Sequence, residues 1–430
     1  SISKSCVVQV PLKKHAPSKI FYHPFFAPLI SISIILAAFI LAFTVNTGFP
    51  ITQILEYFGF NEIAQVIEEY TISSLIESFI EWTSSTLREH LGESITALFL
   101  SEAIFGGVGA ILLFLPLVMI VAAVIGVLED SGVLTRLAIG VHILFERLGF
   151  SGHALFPISL SMGCNVPGIL ATRAIPSSVE RARLIMLLPF IPCQARLVVL
   201  LALATAAKTG FLLVIIGYLA AFTVFFTLSF LFYKLSLKRG EVVEIRLLLE
   251  QPPLHKPTLK VVWWYTWIHT KHFLVKAGSV ILVANILFWL LTHTSPSMGF
   301  THDPGESLAA LLSRGLTSIL VPLGITSEKS WIIVLAIIAG FIAKEIFISV
   351  LLMVSGAQSI AEALSSVGVS EQSIIALAVF ITLYVPCLAT VASIYSETKS
   401  IKFAVKVTIL MLIVAYFSAL LTYTIAFLLK

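Results

Sequence analysis

The chain has 430 residues, of which 58% are hydrophobic and only 12% are charged. Soluble domains have about 45–50% apolar and about 25% charged residues, so this composition, with a mean hydropathy of +1.02, excludes an ordinary soluble enzyme. The net charge of +4 comes from 27 Lys and Arg against 23 Asp and Glu. The basic residues lie mostly in short loops, as in membrane proteins, and they form no basic stripe, so we expect no nucleic-acid partner.

The first apolar segment predicts a membrane span. Residues 1–22 contain four lysines and are predicted to form a cytoplasmic N-terminal segment. Residues 23–45 are predicted to be the first transmembrane helix, because about 20 apolar residues cross a bilayer. Residues 46–101 are acidic, poor in Lys and Arg, and apolar at helical spacing, which predicts extracellular amphipathic helices. The chain is therefore expected to be embedded in membrane lipid, with its N-terminus inside.

The remaining chain predicts two related halves around a polar linker. Residues 102–233 and 272–430 contain apolar segments interrupted by Gly and Pro, which break helices. Residues 234–271 are basic and contain three tryptophans, which predicts a cytoplasmic linker with an interfacial helix. Both halves contain the pattern P-C-x-A, at 192–195 and 386–389. Interrupted segments at corresponding places in two halves are the best sequence indication of a transporter's binding site, so the sequence predicts an all-α polytopic membrane protein with broken helices.

Three of the four cysteines lie beside helix-breaking residues. Cys164 and Asn165 belong to the hexapeptide Gly-Cys-Asn-Val-Pro-Gly, and Cys193 and Cys387 each follow a proline. Helix breaks at membrane depth free backbone carbonyls, which are tolerated only where protein or a water-lined cavity covers them. Thiolates bind Fe²⁺, Cu⁺ and Zn²⁺ far better than Mg²⁺ or Ca²⁺. The pattern favours a metal path lined by these four residues; the alternative is a set of packing kinks with cysteines as small apolar side chains.

Ionisable residues inside the apolar segments are few. Glu345 follows Lys344 in the middle of a segment, where a charge is costly and is a functional hypothesis by default. We therefore include Glu345 among the predicted metal ligands, with a structural Lys344–Glu345 pair as the alternative. The acid at the corresponding place in the first half is predicted to be Glu129. Arg173 and Arg196 follow the cysteine motifs and are expected to anchor or pair.

Motifs of catalysis and nucleotide binding are missing from the sequence. It contains no HExxH, no GxSxG and no Gly-Lys dipeptide, so it has no Walker A loop. We therefore predict a transporter and not an enzyme, with no catalytic residues and no nucleotide bound by this chain.

At these motifs the sequence resembles the membrane region of the FeoB ferrous iron transporters, which carries two Gate repeats. The order and spacing of the motifs agree from about residue 18 to 430. The matching stretches include Gly163–Pro167, Leu188–Leu197, Phe341–Glu345 and Tyr384–Thr390, and the combination of Gly-Cys-Asn-Val-Pro with the later Pro-Cys-x-Ala-Thr is quite specific. The sequence departs from the family pattern at Gly168, Gln194 and Val198, which is expected to affect packing around the path.

The resemblance implies that Fe²⁺ is the transported ion, that it crosses the cytoplasmic (inner) membrane, and that Cys164, Cys193 and Cys387 line its path. Members of this family begin with a GTP-binding domain, so we expect a GTPase that was removed or is a separate chain. Small Feo accessory proteins and a homo-oligomer are further partners to consider. Two other functions stay open: a Gate-repeat transporter of an organic solute such as a nucleoside, and a membrane scaffold that docks a soluble GTPase.

Overall fold

The computed structural model describes residues 26–428 except 49–50, 53–54, 56–57, 92–94, 239–254, 298 and 302. Within these residues the protein is built from α-helices, and an isolated β-bridge between Thr294 and Phe300 is the sole extended pairing. The all-α prediction is therefore confirmed. The predicted N-terminal segment 1–22 lies outside the described residues.

Before the first repeat, the fully described helices are α1 (Phe26–Thr47), α2 (Asn61–Glu69) and α3 (Ile72–Leu91). Helix α1 overlaps the predicted span 23–45, of which residues 23–25 lie outside the described part of the chain, and α2 and α3 form in the stretch predicted to be amphipathic. On α3 the apolar stripe of Leu75, Phe79 and Trp82 is exposed. This stripe is thus free to contact something other than the protein's own core.

The first repeat contains two broken helices. Its elements are α4 (Ile95–Asp130), α5 (Val133–Glu146), α6 (Leu155–Gly163), α7 (Asn165–Ala171), α8 (Ser178–Leu187), α9 (Gln194–Ala206) and α10 (Leu212–Lys238). A π-helical segment, Phe99–Phe105, interrupts α4. Helices α6 and α7 are separated at Cys164, and α8 and α9 are separated at 188–193, where two prolines prevent a continuous helix.

The second half of the described chain starts with a helix in the predicted linker 234–271. Its elements are α11 (Leu259–Phe273), α12 (Ser279–His293), α13 (Leu308–Leu316), α14 (Trp331–Ile342), α15 (Ile346–Ser355), α16 (Ile360–Val367), α17 (Glu371–Leu383), α18 (Leu388–Thr398) and α19 (Ile401–Leu428). A π-helical segment, Leu274–Gly278, joins α11 to α12. The predicted boundary between 234–271 and 272–430 therefore falls inside one helical stretch, because no proline stops the helix there.

Among the described elements the two repeats share one order, apart from α16, which has no counterpart in the first repeat. Each has a helix with a π-helical segment, then a shorter helix, two broken helices and a long apolar helix. The breaks at Cys193 and Cys387 occupy the same place in this order, as predicted. Glu345 lies in the break that corresponds to Cys164, whereas Glu129 lies at the end of α4. The prediction that Glu129 corresponds to Glu345 was therefore wrong. Both repeats have a helix break at this place in the order, but only the second repeat has an acidic residue in it.

Several of the described helices are long and apolar enough to cross a membrane. They are Ile95–Asp130, Ser178–Ala206, Leu212–Lys238, Glu371–Thr398 and Ile401–Leu428, and the pair Ile346–Ser355 and Ile360–Val367, bent by 61°, makes a sixth if it is one span. Helix α17 is buried between α10 and α19, while α10 and α19 expose aliphatic and aromatic side chains along their length. This arrangement is typical of a bundle with a lipid-facing perimeter.

Candidate functional site

The breaks in both repeats converge on one small cavity of about 50 Å³, which we call the cysteine cavity. Cys164, Asn165, Cys193, Cys387 and Glu345 all line it. A cavity of this size holds one or a few water molecules, or an ion that has lost part of its hydration shell. The structure therefore brings together all five residues predicted as metal ligands from the sequence.

The local backbone explains why these residues meet. Cys164 and Cys193 are extended, with φ/ψ of −149°/131° and −91°/171°, and each is the N-cap of the half-helix that follows. Cys387 and Glu345 are the N-caps of α18 and α15. The N-terminus of a helix carries partial positive charge and favours an anion, so the start of α9 and the start of α18 are suited to cysteine thiolates.

The polar atoms of the cavity are available to a ligand. The three cysteines are free, and the Sγ of Cys387 lies 3.1 Å from the Oγ1 of Thr390. The Oδ1 of Asn165 and the Oε2 of Glu345 are buried without a hydrogen-bond partner. A buried acceptor without a partner costs about 1–3 kcal/mol, and a cation beside these oxygens would recover that cost.

The cysteine cavity is not a closed metal cage. Among the described residues, no group of three or more His, Cys, Asp and Glu side chains is close enough together to hold a metal ion at one point. The three thiols are instead distributed around the cavity. Such an arrangement suits transient ligation better than permanent storage, because a structural site encloses its ion with a full ligand set.

Arg196 connects the broken helices of the two repeats. Its side chain is buried, and its Nη1 donates to the carbonyl oxygens of Pro189 at 2.7 Å and Ile191 at 3.3 Å. Its Nη2 donates to the carbonyl oxygen of Tyr384 at 3.1 Å. These carbonyls belong to the breaks before Cys193 and Cys387, so one guanidinium satisfies freed acceptors on both sides. The expectation that Arg196 anchors or pairs is confirmed.

Lys344 contributes in the same way. Its Nζ donates to the carbonyl oxygen of Val385 at 2.6 Å and lies 3.1 Å from the centroid of the Tyr384 ring. The Oε2 of Glu345 stays without a partner, so the alternative of a Lys344–Glu345 pair does not account for that oxygen. The sequence analysis did not predict that Lys344 donates to a carbonyl group of the other break. The sequence did contain a signal for it, because Lys344 lies inside an apolar segment and Pro386 frees backbone carbonyls in another segment of the same repeat.

The half-helices α7 and α18 start at the cysteine cavity, pack together, and end at an ion-pair network. Arg173 donates to both carboxylate oxygens of Glu397, at 2.8 and 2.5 Å, and Arg181 donates to Glu397 at 2.7 Å. The Glu397 side chain is 2% exposed. Arg173 pairs as expected, and its partner belongs to the other repeat.

The close packing of α6 on α7 explains one departure from the family pattern. A Cβ atom at Gly168 would overlap the Oγ of Ser161 and lie 2.9 Å from the carbonyl oxygen of Pro157. Alanine at this position would therefore push α7 away from α6. Gly168 thus sets the separation of the two half-helices beside Cys164.

The fold and the cavity together define a multi-pass α-helical membrane protein with two broken-helix repeats. The sequence profile of the Gate family, described as nucleoside recognition, matches residues 111–208 and 274–401. These two stretches cover more than half of the chain, so the chain belongs to the Gate family.

Curated relatives narrow the comparison to the membrane region of FeoB. The chain is 31% identical over 321 residues to the Fe(2+) transporter FeoB of Staphylococcus aureus (strain MSSA476), which covers 74% of this chain and 47% of that protein. It is 33% identical over 337 residues to FeoB of Methanocaldococcus jannaschii, covering 76% and 49%. A Fe(2+) transport protein A/FeoB fusion protein of Porphyromonas gingivalis is 27% identical over 413 residues, covering 83% and 47%. The chain therefore spans about half the length of the curated relatives it matches.

Proposed function

We propose that this chain moves Fe²⁺ across the cytoplasmic membrane and that the ion passes through the cysteine cavity. The observation that carries the proposal is the meeting of Cys164, Cys193 and Cys387 in one cavity, although they come from three separate helix breaks. Asn165 and Glu345 add an amide and a carboxylate oxygen to the same wall. Relatives that match about three quarters of this chain carry the name Fe(2+) transporter.

The ligand chemistry supports a soft or borderline divalent metal. Thiolates favour Fe²⁺ over Mg²⁺ and Ca²⁺, and a metal-bound thiol gives up its proton. The helix N-termini behind Cys193 and Cys387 favour the resulting negative charge. The ion would be handed between thiols and oxygen ligands without ever being enclosed by a complete set, which permits release.

A nucleoside is the second candidate, because the family is described by nucleoside recognition. Small-molecule pockets usually enclose about 300–1,000 Å³, which is several times the cysteine cavity of about 50 Å³. Among the described residues that line it, Phe273 is the single aromatic one, so these residues provide no pair of rings between which a base would stack. The geometry therefore favours an ion over a nucleoside.

The remaining parts of the proposal concern orientation and coupling. We place the N-terminus inside, because the acidic stretch 46–101 is poor in Lys and Arg. The membrane potential supplies about 2.3 kcal/mol per charge per 100 mV, and a GTPase would supply further control. One relative is fused to Fe(2+) transport protein A, which supports an accessory Feo protein as a partner; the scaffold alternative predicts docking without ion flux.

The test is anaerobic Fe²⁺ uptake into proteoliposomes by the parent chain and by the double variant Cys164→Ser, Cys193→Ser. We expect uptake to fall at least tenfold in the double variant, because serine is a poor ligand for a borderline metal. The matched control is Cys6→Ser, since Cys6 belongs to the predicted N-terminal segment 1–22 and should leave uptake unchanged. Equal uptake by parent and double variant would disprove the proposed path.

Binding of Co²⁺ in detergent provides a readout that does not need a coupling partner. Thiolate ligation of Co²⁺ gives a charge-transfer absorption band, which should appear with the parent and with Cys6→Ser and be lost in the double variant. If the parent chain shows neither Fe²⁺ uptake nor this absorption band, the cysteine cavity is not a metal site. The band without uptake would support a metal site whose path is closed until a partner docks.

A further inference from the structure

A second and larger cavity adjoins the first. It has a volume of about 630 Å³ and lies between the end of α1, helices α2 and α3, the first half of α4, and the starts of α9 and α15. We call it the acidic vestibule, because Glu68, Glu77 and Glu81 line it and no Lys, Arg or His is among its lining residues in the described part of the chain. All three glutamates belong to the stretch predicted as extracellular.

The acidic vestibule and the cysteine cavity share part of their walls. Ala343, Glu345 and Leu117 line both. The carboxylate of Glu345 therefore lies at the junction, with the three glutamates of the vestibule on one side and the cysteines on the other. A cation in the vestibule would have a carboxylate at the boundary that leads to the thiols.

Two buried amides in the vestibule lack partners for their oxygen atoms. Asn46 is 3% exposed and Gln194 is 6% exposed, and the Oδ1 of Asn46 and the Oε1 of Gln194 have no hydrogen-bond partner. They come from different helices, α1 and α9, yet line the same cavity. Amide oxygens are ligands for hard cations, and burying them without a partner is unfavourable.

The glutamates are arranged so that they repel one another. Glu77 and Glu81 lie four residues apart on α3, a spacing at which like charges destabilise a helix. Partial burial, and then the nearby carboxylates of Glu81 and Glu68, raise the pKa of Glu77. A bound cation would remove this repulsion, and the described residues of the cavity wall include no basic side chain that does so.

We propose that the acidic vestibule is a second cation-binding site, which holds a largely hydrated divalent cation through Glu77, Glu81 and the amide oxygens of Asn46 and Gln194. Its ligands are all oxygens, so it accepts Mn²⁺ and Ca²⁺ as well as Fe²⁺. Delivery of the cation to Glu345 rests on the proposed function, whereas binding of a cation in the vestibule does not depend on it.

The probe is Mn²⁺, whose free ion is measured by electron paramagnetic resonance in the presence of the purified full chain. We expect the double variant Glu77→Gln, Glu81→Gln to bind Mn²⁺ about tenfold more weakly, and Asn46→Leu to weaken binding severalfold. The matched control is Glu62→Gln, Glu69→Gln, which removes the same charge from exposed positions of α2 that do not line the vestibule. Equal affinity in the Glu77, Glu81 variant and its control would overturn the proposal.

The same measurement on the Cys164→Ser, Cys193→Ser variant separates the two proposals. Mn²⁺ binding should persist there, because the vestibule ligands are oxygens. Loss of Mn²⁺ binding in the cysteine variant would overturn the vestibule as a separate site, even if iron uptake depends on the cysteines. If the cysteine variant still binds Mn²⁺ and still takes up Fe²⁺, the proposed iron path is wrong, and the proposal of a cation site in the vestibule is still supported.

Discussion

The two cavities that meet at Glu345 differ in size, ligand type and construction. The cysteine cavity is about 50 Å³, and helix breaks supply its thiols, whereas the acidic vestibule is about 630 Å³ and is lined mainly by side chains on intact helical faces. Small enclosed sites with soft ligands discriminate between metals, and wide sites with oxygen ligands do not. If the two proposals hold, the broken helices select the metal and the amphipathic helices capture the cation.

The walls of the two cavities also differ in how they are held. Buried donors from Arg196 and Lys344 hold the breaks around the cysteines. Among the described residues that line the vestibule none is basic, and two of its amide oxygens are unpartnered. Buried donors of the protein therefore hold the helix breaks of the first cavity, whereas no described Lys or Arg side chain lines the second. In both cavities a cation would compensate acceptor oxygens that lack partners.

The largest expected effect is that of Arg196→Met on folding. The change leaves the carbonyls of Pro189, Ile191 and Tyr384 without their donor, and each unsatisfied buried acceptor costs about 1–3 kcal/mol. We expect the melting temperature in detergent, measured by circular dichroism, to fall clearly. Arg173→Met is the control, because that side chain is 54% exposed and should cost less. Equal melting temperatures for parent and Arg196→Met would contradict the assigned role.

The next effect is that of Glu345→Gln, which changes both cavities at once. It keeps the side-chain volume and removes the charge at the junction, so one charge-assisted contact worth about 1.5–3 kcal/mol is lost. We expect Fe²⁺ uptake to fall about 10–100-fold and Mn²⁺ affinity to fall severalfold. Glu328→Gln, at an exposed position, should change neither. Reduced uptake with unchanged Mn²⁺ affinity would show that Glu345 serves the cysteine cavity alone.

The smallest effect needs no mutation. Excess Ca²⁺, a hard cation, should compete in the acidic vestibule and raise the KM for Fe²⁺ about two- to fivefold without changing the maximal rate. Cd²⁺, a soft cation, should instead lower the maximal rate by occupying the thiols. The Glu77→Gln, Glu81→Gln variant should be insensitive to Ca²⁺. If Ca²⁺ lowers the maximal rate and Cd²⁺ does not, the division of roles between the cavities is wrong.

Much of the cysteine cavity is predictable because its signals are local. Prolines and glycines mark the breaks at Cys164, Cys193 and Cys387, and the resulting free carbonyls call for cover inside the protein. The helical continuity of α11 with α12 was not predicted, because the basic, tryptophan-rich composition of 234–271 is typical of a linker. The amino-acid composition of a segment indicates whether it is exposed to water, but it does not indicate where a helix begins or ends.

The vestibule could not be predicted because its contacts are long-range. Asn46 and Gln194 lie far apart in the sequence, and no local pattern places them around one space. The acidic residues of 46–101 indicate amphipathic helices, but only the fold shows that Glu77 and Glu81 share a cavity with Glu345. Arg196 likewise bonds to Tyr384 across 188 positions of the sequence.

The network around Glu397 has a consequence for rates. Separation of α18 from both α7 and α8 at this end has to break three charge-assisted bonds made by Arg173 and Arg181. At the lower figure of about 1.5 kcal/mol each, and discounted by about one third because the arginines are partly in water, the separated state is less populated than about one molecule in a hundred. Turnover that requires this separation would then be a rare, thermally activated event, which a docking protein could accelerate by offering the arginines another carboxylate.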